Sequence, residues 1–195
     1  MTRIGVFGGS FNPVHWGHLH LALLAREAAG LDRVLFVPAA TPPHKEPGAL
    51  APAEHRWAML ERALATEPQT ELCNLELTSG GPRYTIDTLD RLSKEHPDTT
   101  LHFILGADSL AELTTWKDPE RLVNTYHIIA VNRPGEAIAA KDTRVLEVTG
   151  NPFAISSSAI RRRVASGLSI RHLVPPPVAA YIEERDLYRN TSEPK

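Results

Sequence analysis

Two short apolar runs, RIGVF at 3–7 and RVLFVP at 33–38, stand about thirty residues apart. Between them, from about Gly17 to Ala29, lie good helix formers, with Leu19, Ala22 and Leu23 expected to share one face. Gly30 follows where such a helix would stop. Strand, helix and strand within about forty residues predict a parallel βαβ unit. A continuous apolar strand suits a sheet covered on both faces.

The alternation continues along the chain. Residues 39–52 are rich in Pro, Gly and Ala and read as a loop. The segment 52–65 predicts a helix with Trp57, Leu60 and Leu64 on one stripe. ELCNLEL at 71–77 predicts a strand with Cys73, Leu75 and Leu77 on one side, and 85–96 a helix marked by Ile86, Leu89 and Leu92. LHFIL at 101–105, closed by Gly106, is a strand, as are 127–131 and 144–148. Asp118-Pro119 places an N-cap acceptor before a proline suited to a first turn. After Pro152, serines open a helix that Gly167 closes, and PPVAAYIEERDLY, with Pro176 near its start, predicts the last one. The expectation is one domain over 1–195, an α/β, doubly wound, Rossmann-like fold with a mainly parallel sheet. Ligands then bind beyond the carboxyl ends of the strands, which directs attention to the loops 8–18, 38–47, 78–85, 106–118 and 150–158.

Composition narrows the function. The 195 residues are 42% hydrophobic and 23% charged, an ordinary globular balance. No apolar run is long enough to span a bilayer, and the first ten residues lack a signal-peptide pattern. One cysteine, Cys73, excludes an internal disulfide and favours a cytoplasmic setting. A net charge of −2 argues against a partner coated along its backbone, so no nucleic acid is expected, and no membrane either. The oligomeric state, a homo-oligomer included, is left open.

The first strand ends in GGSFNPVHWGHLH, Gly8 to His20. No GxxxxGK[ST] or GxGxxG is present. Gly8 and Gly9 allow close backbone approach, Ser10 offers a hydroxyl, and a helix start near Gly17 would turn free amides toward an anion. His15 and His18 flank that start as N–H donors to phosphate; the alternative is that they only cap the helix or lie on the surface. His20 lies past the start and is given no role. Zinc normally takes three or four protein ligands, and no Glu or Cys stands nearby, so no metal ligand is assigned. Lys45, beside His44 in TPPHK just after the second strand, suits phosphate as a point charge; the alternative is a solvated loop lysine. Asp108 in GADSL suits either a ribose or metal contact or a helix cap. Trp116 can stack on a flat ring or fill a groove. ISSSAIRRR at 155–163 puts serines at a helix start and Arg161, Arg162 and Arg163 within its first turns, where a phosphate would balance the basic charge; the alternative is a solvated basic face.

GGSFNPVHWGH resembles the GG[ST]F[DN]PxHxGH loop of the HxGH nucleotidyltransferases. With PPHK, RWAML, YTIDTL, GADSL, WK and ISSSAIR in order, nearly the whole chain resembles the bacterial nicotinate-nucleotide adenylyltransferases. The resemblance implies adenylyl transfer from ATP to nicotinate mononucleotide, with Mg2+ accompanying ATP, in NAD biosynthesis. It implies that His15 and His18 bind the ATP phosphates and steady the α-phosphoryl charge. Ser10 and Lys45 would contact phosphates, with His44 beside them. Ser157 and Arg161 would hold the phosphates from the opposite side, with Arg161 counted among the catalytic group. Gly106 and Asp108 would line the adenosine and ribose region. Thr85 would face the nicotinate end through its backbone, and Trp116, with Lys117 next to it, would stack on the pyridine ring. Asn12 stands where Asp is frequent, and Ser158 where Thr is frequent. The rivals are another HxGH enzyme, such as a phosphopantetheine adenylyltransferase, and a nucleic-acid-binding protein that reuses the fold.

Overall fold

The computed structural model describes residues 1–40, 50–78, 81, 84–132, 145–150 and 155–189. Six strands form one sheet: β1 (Thr2–Gly9), β2 (Arg33–Pro38), β3 (Thr70–Leu72), β4 (Thr99–Gly106), β5 (His127–Asn132) and β6 (Val145–Thr149). Their order is β3-β2-β1-β4-β5-β6, and every pairing is parallel. The order reverses between β1 and β4, the place where an open α/β sheet leaves a crevice for a ligand.

The pleat of β1 sends alternate residues into two cores. Phe7 joins Phe36, Ile104, Ile129 and Val131 beneath α1 (Trp16–Ala29), α2 (Ala53–Leu64), α6 (Ser157–Ala165) and α7 (Pro176–Glu184). Ile4 and Val6 join Leu35, Val37, Phe103 and Ile128 beneath α3 (Thr85–Glu95) and α5 (Pro119–Thr125), with the short α4 (Ala107–Ala111) following β4. Burial of each such side chain stabilises by about 1.5–3 kcal/mol relative to exposure. Gly5 must be small, since an added Cβ would lie 2.7 Å from Ile104 and 2.8 Å from Leu31. Gly30 closes α1 in the left-handed region at φ 58°, as a helix-stopping glycine should.

The doubly wound α/β expectation is met, with several differences in detail. The buried face of α1 is Ala22, Ala25 and Ala29, and Leu23 is 43% exposed, because close packing on the sheet selects the small side chains. The stripe of α2 is Arg56, Met59, Leu60, Ala63 and Leu64, with Trp57 only half-buried. β3 pairs only through Thr70–Leu72 at the sheet edge, and the chain then turns at Asn74, whose carbonyl accepts from Leu77 and Thr78. Cys73 therefore lies just past the strand, half-buried. Asp118 does precede Pro119, but in the left-handed region at φ 49° and with no side-chain cap bond. The last helix ends at Glu184, and Asp186 and Tyr188 then turn through positive φ. Among the described residues, no helix is long and apolar enough to cross a membrane.

Candidate active site

β1 ends beside β4 at the reversal point, and the loop that follows folds back on itself. Phe11 takes φ 45° and buries its ring edge-on to Phe7 at 5.5 Å. Gly9 permits this, since a Cβ there would lie 3.1 Å from the Phe11 ring. The Asn12–Pro13 bond is cis, and α1 begins at Trp16 with His15 as its extended N-cap residue.

The rings of His15 and His18 stack with centroids 3.7 Å apart and planes 23° apart. Gly17 makes room for this, because a Cβ would lie 3.0 Å from His15 Nδ1. His18 also meets Phe11 edge-on at 5.1 Å. The His15 backbone N–H donates to His18 Nδ1 at 3.3 Å. Accepting that bond requires a lone pair on Nδ1, so the neutral His18 ring carries its proton on Nε2. Burial, reinforced by His15, holds the His18 pKa well below its ordinary value. His15 is 5% exposed, and burial lowers its pKa to about 4. Among the described residues its buried Nδ1 has no hydrogen-bond partner. Two neutral, stacked imidazoles thus stand where α1 begins.

Distant segments clamp this loop. Ser156 caps α6 by accepting from the Ala159 N–H, while Ser157 Oγ donates to the Pro13 carbonyl at 2.9 Å. Arg161, 9% exposed, donates to the Asn12 carbonyl at 2.9 Å and to Ser158 Oγ at 3.3 Å. Arg162 and Arg163 are exposed, so the basic run divides into one buried and two solvated members. Asn12 Oδ1 accepts from the Ala51 N–H at 3.1 Å and from the Tyr188 hydroxyl at 2.9 Å. The fully buried Arg56 donates to the Ser10 carbonyl at 3.0 Å. Two amides at the α1 start are already used, as Trp16 N–H donates to the Leu173 carbonyl and His18 N–H to the His15 carbonyl.

The remaining candidates lie on neighbouring strand ends. Gly106 ends β4 and caps α4; Asp108 falls inside α4 rather than before it, and its side chain is outside the described residues. Thr85 is the first residue of α3, whose N-cap residue Tyr84 makes no side-chain cap bond. Trp116 is half-buried, edge-on to Phe103 at 5.9 Å. Lys117 Nζ lies 2.9 Å from both Asp87 oxygens and 5.0 Å from the centre of the Tyr84 ring, and Asp87 raises its pKa. That bridge ties the Trp116 segment to the first turn of α3. His44 and Lys45 lie outside the described residues. Among the described residues an added Cβ at Gly8 would meet only Phe103, in ordinary contact at 3.9 Å.

Sequence reasoning missed Arg56, Tyr188 and the structural role of Asn12. Arg56 left a signal: it sits three and four residues before Met59 and Leu60, on the apolar stripe itself. Tyr188 left none, since its partner Asn12 is 176 residues away.

A family model described as cytidylyltransferase-like matches residues 6–163, which take in the sheet reversal and the HWGH turn. A Thermus thermophilus protein named probable nicotinate-nucleotide adenylyltransferase is 46% identical over 187 residues, covering 96% of this chain and 100% of that one. The protein of the same name from Symbiobacterium thermophilum is 42% identical over 201 residues, covering 96% of each. The chain belongs to the nicotinate-nucleotide adenylyltransferases, a family of nucleotidyltransferase enzymes. The fold is shared with Plasmodium falciparum nicotinic acid mononucleotide adenylyltransferase complexed with NaAD, at a TM-score of 0.83 and 22% identity, covering 99% of this chain and 100% of that one.

Proposed function

We propose that this chain transfers the adenylyl group of ATP to nicotinate mononucleotide, releasing pyrophosphate and forming nicotinate adenine dinucleotide. The observation that carries this reading is the stacked His15–His18 pair on the β1–α1 turn at the sheet reversal. Family membership supplies the substrate pair. A phosphate oxygen of the mononucleotide attacks the α-phosphorus in line. The bond from that phosphorus to the bridging oxygen breaks, and pyrophosphate takes the electron pair. The attacking oxygen is already ionised near neutral pH, so neither a general base nor a protein nucleophile is required. Catalysis rests on position and on donors arranged before the reaction. His18 offers Nε2–H, His15 its imidazole, and Arg161 and Lys45 positive charge, with Ser10 and Ser157 beside them.

Among the described residues no three His, Cys, Asp or Glu side chains gather to hold a metal. Mg2+ would be held by the ATP phosphates and would supply neutralisation of their charge. Gly106 and Asp108 flank the adenosine and ribose. Thr85, Trp116 and Lys117 form the pyridine end.

Pyrophosphate release with ATP tests the reading, with nicotinate mononucleotide, nicotinamide mononucleotide and phosphopantetheine compared as acceptors. Turnover should be fastest with the first, and preference for phosphopantetheine would overturn it. Trp116→Ala should raise KM for the nicotinate nucleotide and leave KM for ATP nearly unchanged. Equal changes in both would reduce Trp116 to its packing on Phe103.

A further inference from the structure

We infer that Arg56 is a positioning residue for adenylyl transfer: its guanidinium sets the loops after β1 and β2 at a fixed separation and places a positive charge, which no carboxylate among the described residues cancels, behind the phosphate loop. The catalytic part of this inference rests on the reading above. Arg56 projects from α2 and is 1% exposed. Among the described residues it meets no carboxylate. Its partners are backbone carbonyls: Nε donates to Ala51 at 3.0 Å, Nη1 to Ser10 at 3.0 Å and Ala39 at 2.7 Å, and Nη2 to Ala40 at 3.0 Å.

Those carbonyls belong to three segments. Ser10 follows β1, Ala39 and Ala40 follow β2, and Ala51 precedes α2. The first two segments lead into the histidine turn and into TPPHK. A planar fork with five donors holds its acceptors at set angles, which a single ammonium group on a flexible stem does not. Burial lowers the Arg56 pKa, yet a guanidinium keeps its proton in a protein. Four carbonyl dipoles satisfy its hydrogen bonds without cancelling its charge, as a carboxylate would. A buried cation usually has an anionic partner. Here the carbonyl of Ser10 links Arg56 directly to the loop proposed to receive a polyphosphate.

The test uses the full chain with Arg56→Lys and Arg56→Ala. Arg56→Lys should stay folded and lose about 10²-fold in turnover number, the scale of a misplaced reacting group. KM for ATP should rise more than KM for the nucleotide acceptor. Amide hydrogen exchange should accelerate at 10–12 and 39–40, while the α3 amides keep their protection. Added guanidinium ion should restore part of the turnover of Arg56→Ala, and methylammonium should not. Wild-type turnover of Arg56→Lys overturns the inference, as does loss of activity only in step with global unfolding. The exchange readout needs no catalysis, so it separates failure of this inference from failure of the proposed reaction. If wild type transfers no adenylyl group but the two loops still loosen together, the reaction is wrong and the stapling role stands.

Discussion

His18→Ala should lower the turnover number by about 10²–10³, the effect of removing one donor aimed at charge that develops in the transition state. His18 has the means to act this way. The His15 N–H occupies its Nδ1, so the proton sits on Nε2. Stacking on His15 and the edge of Phe11 hold the ring in place. A donor fixed beforehand costs no reorganisation when the reaction occurs. The variant should keep its fold, because the Gly8–Val14 loop remains held by Arg56, Ser157, Arg161 and Tyr188. KM for ATP should move far less than kcat. His18→Gln, which restores a side-chain N–H, should recover part of the loss. Steady-state kinetics with matched thermal unfolding check this, and a turnover near wild type in His18→Ala removes His18 from the catalytic group.

Acidification should destabilise the ligand-free protein, with His15 contributing about 3 kcal/mol from its shift alone. The folded-state pKa of His15 is about 4, against an ordinary value of 6.5. Between those two values the unfolded chain binds a proton that the folded chain does not. Its contribution is therefore fully present above pH 6.5 and lost as the pH falls toward 4. His18 shifts in the same direction through burial and His15. His102, buried on β4, is also lowered to about 4 by burial, His127 and Arg3, and adds to the same window. A bound triphosphate favours protonated imidazoles, so ATP should stabilise more at pH 5.5 than at pH 7.5 and take up protons on binding. For a chain of this size, each kcal/mol moves Tm by about 2–4 °C. Unfolding scans of wild type and His15→Gln across this range check the assignment. The variant should lose less stability on acidification, and an identical acid loss in both proteins excludes His15 as a source.

How far the fold was legible follows from the distance over which each signal acts. β1, β2, β4 and β5 declared themselves because a strand buried on both faces must be apolar throughout. Gly30 and Gly167 marked helix ends because φ near 60° excludes most side chains. Apolar content misled at 71–77, where alternation looked like a strand but only Thr70–Leu72 had a partner to pair with. It misled again at Leu23, since periodicity finds a face but not how closely that face approaches the sheet. The sequence does not tell that Gly9 and Gly17 make room for the rings of Phe11 and His15. ISSSAIRRR predicts basic charge at a helix start, but α6 is short enough that Arg162 and Arg163 fall in its last turn, and only packing buries Arg161.

By itself the sequence determined the α/β class, the ends of α1 and α6 at Gly30 and Gly167, and the string GGSFNPVHWGH that places two histidines at the start of α1. These are local matters, decided by side-chain size, backbone freedom and periodicity within about one turn or strand. Only the tertiary structure decided what holds that string. Ala51, Arg56, Ser157, Arg161 and Tyr188 arrive from three other parts of the chain to bond Ser10, Asn12 and Pro13. Their bonds go mostly to backbone carbonyls, which every residue possesses, so the identity of the partner leaves no mark in the sequence. Only packing of α2, α6 and the turn after α7 against one core face brings those donors to the loop.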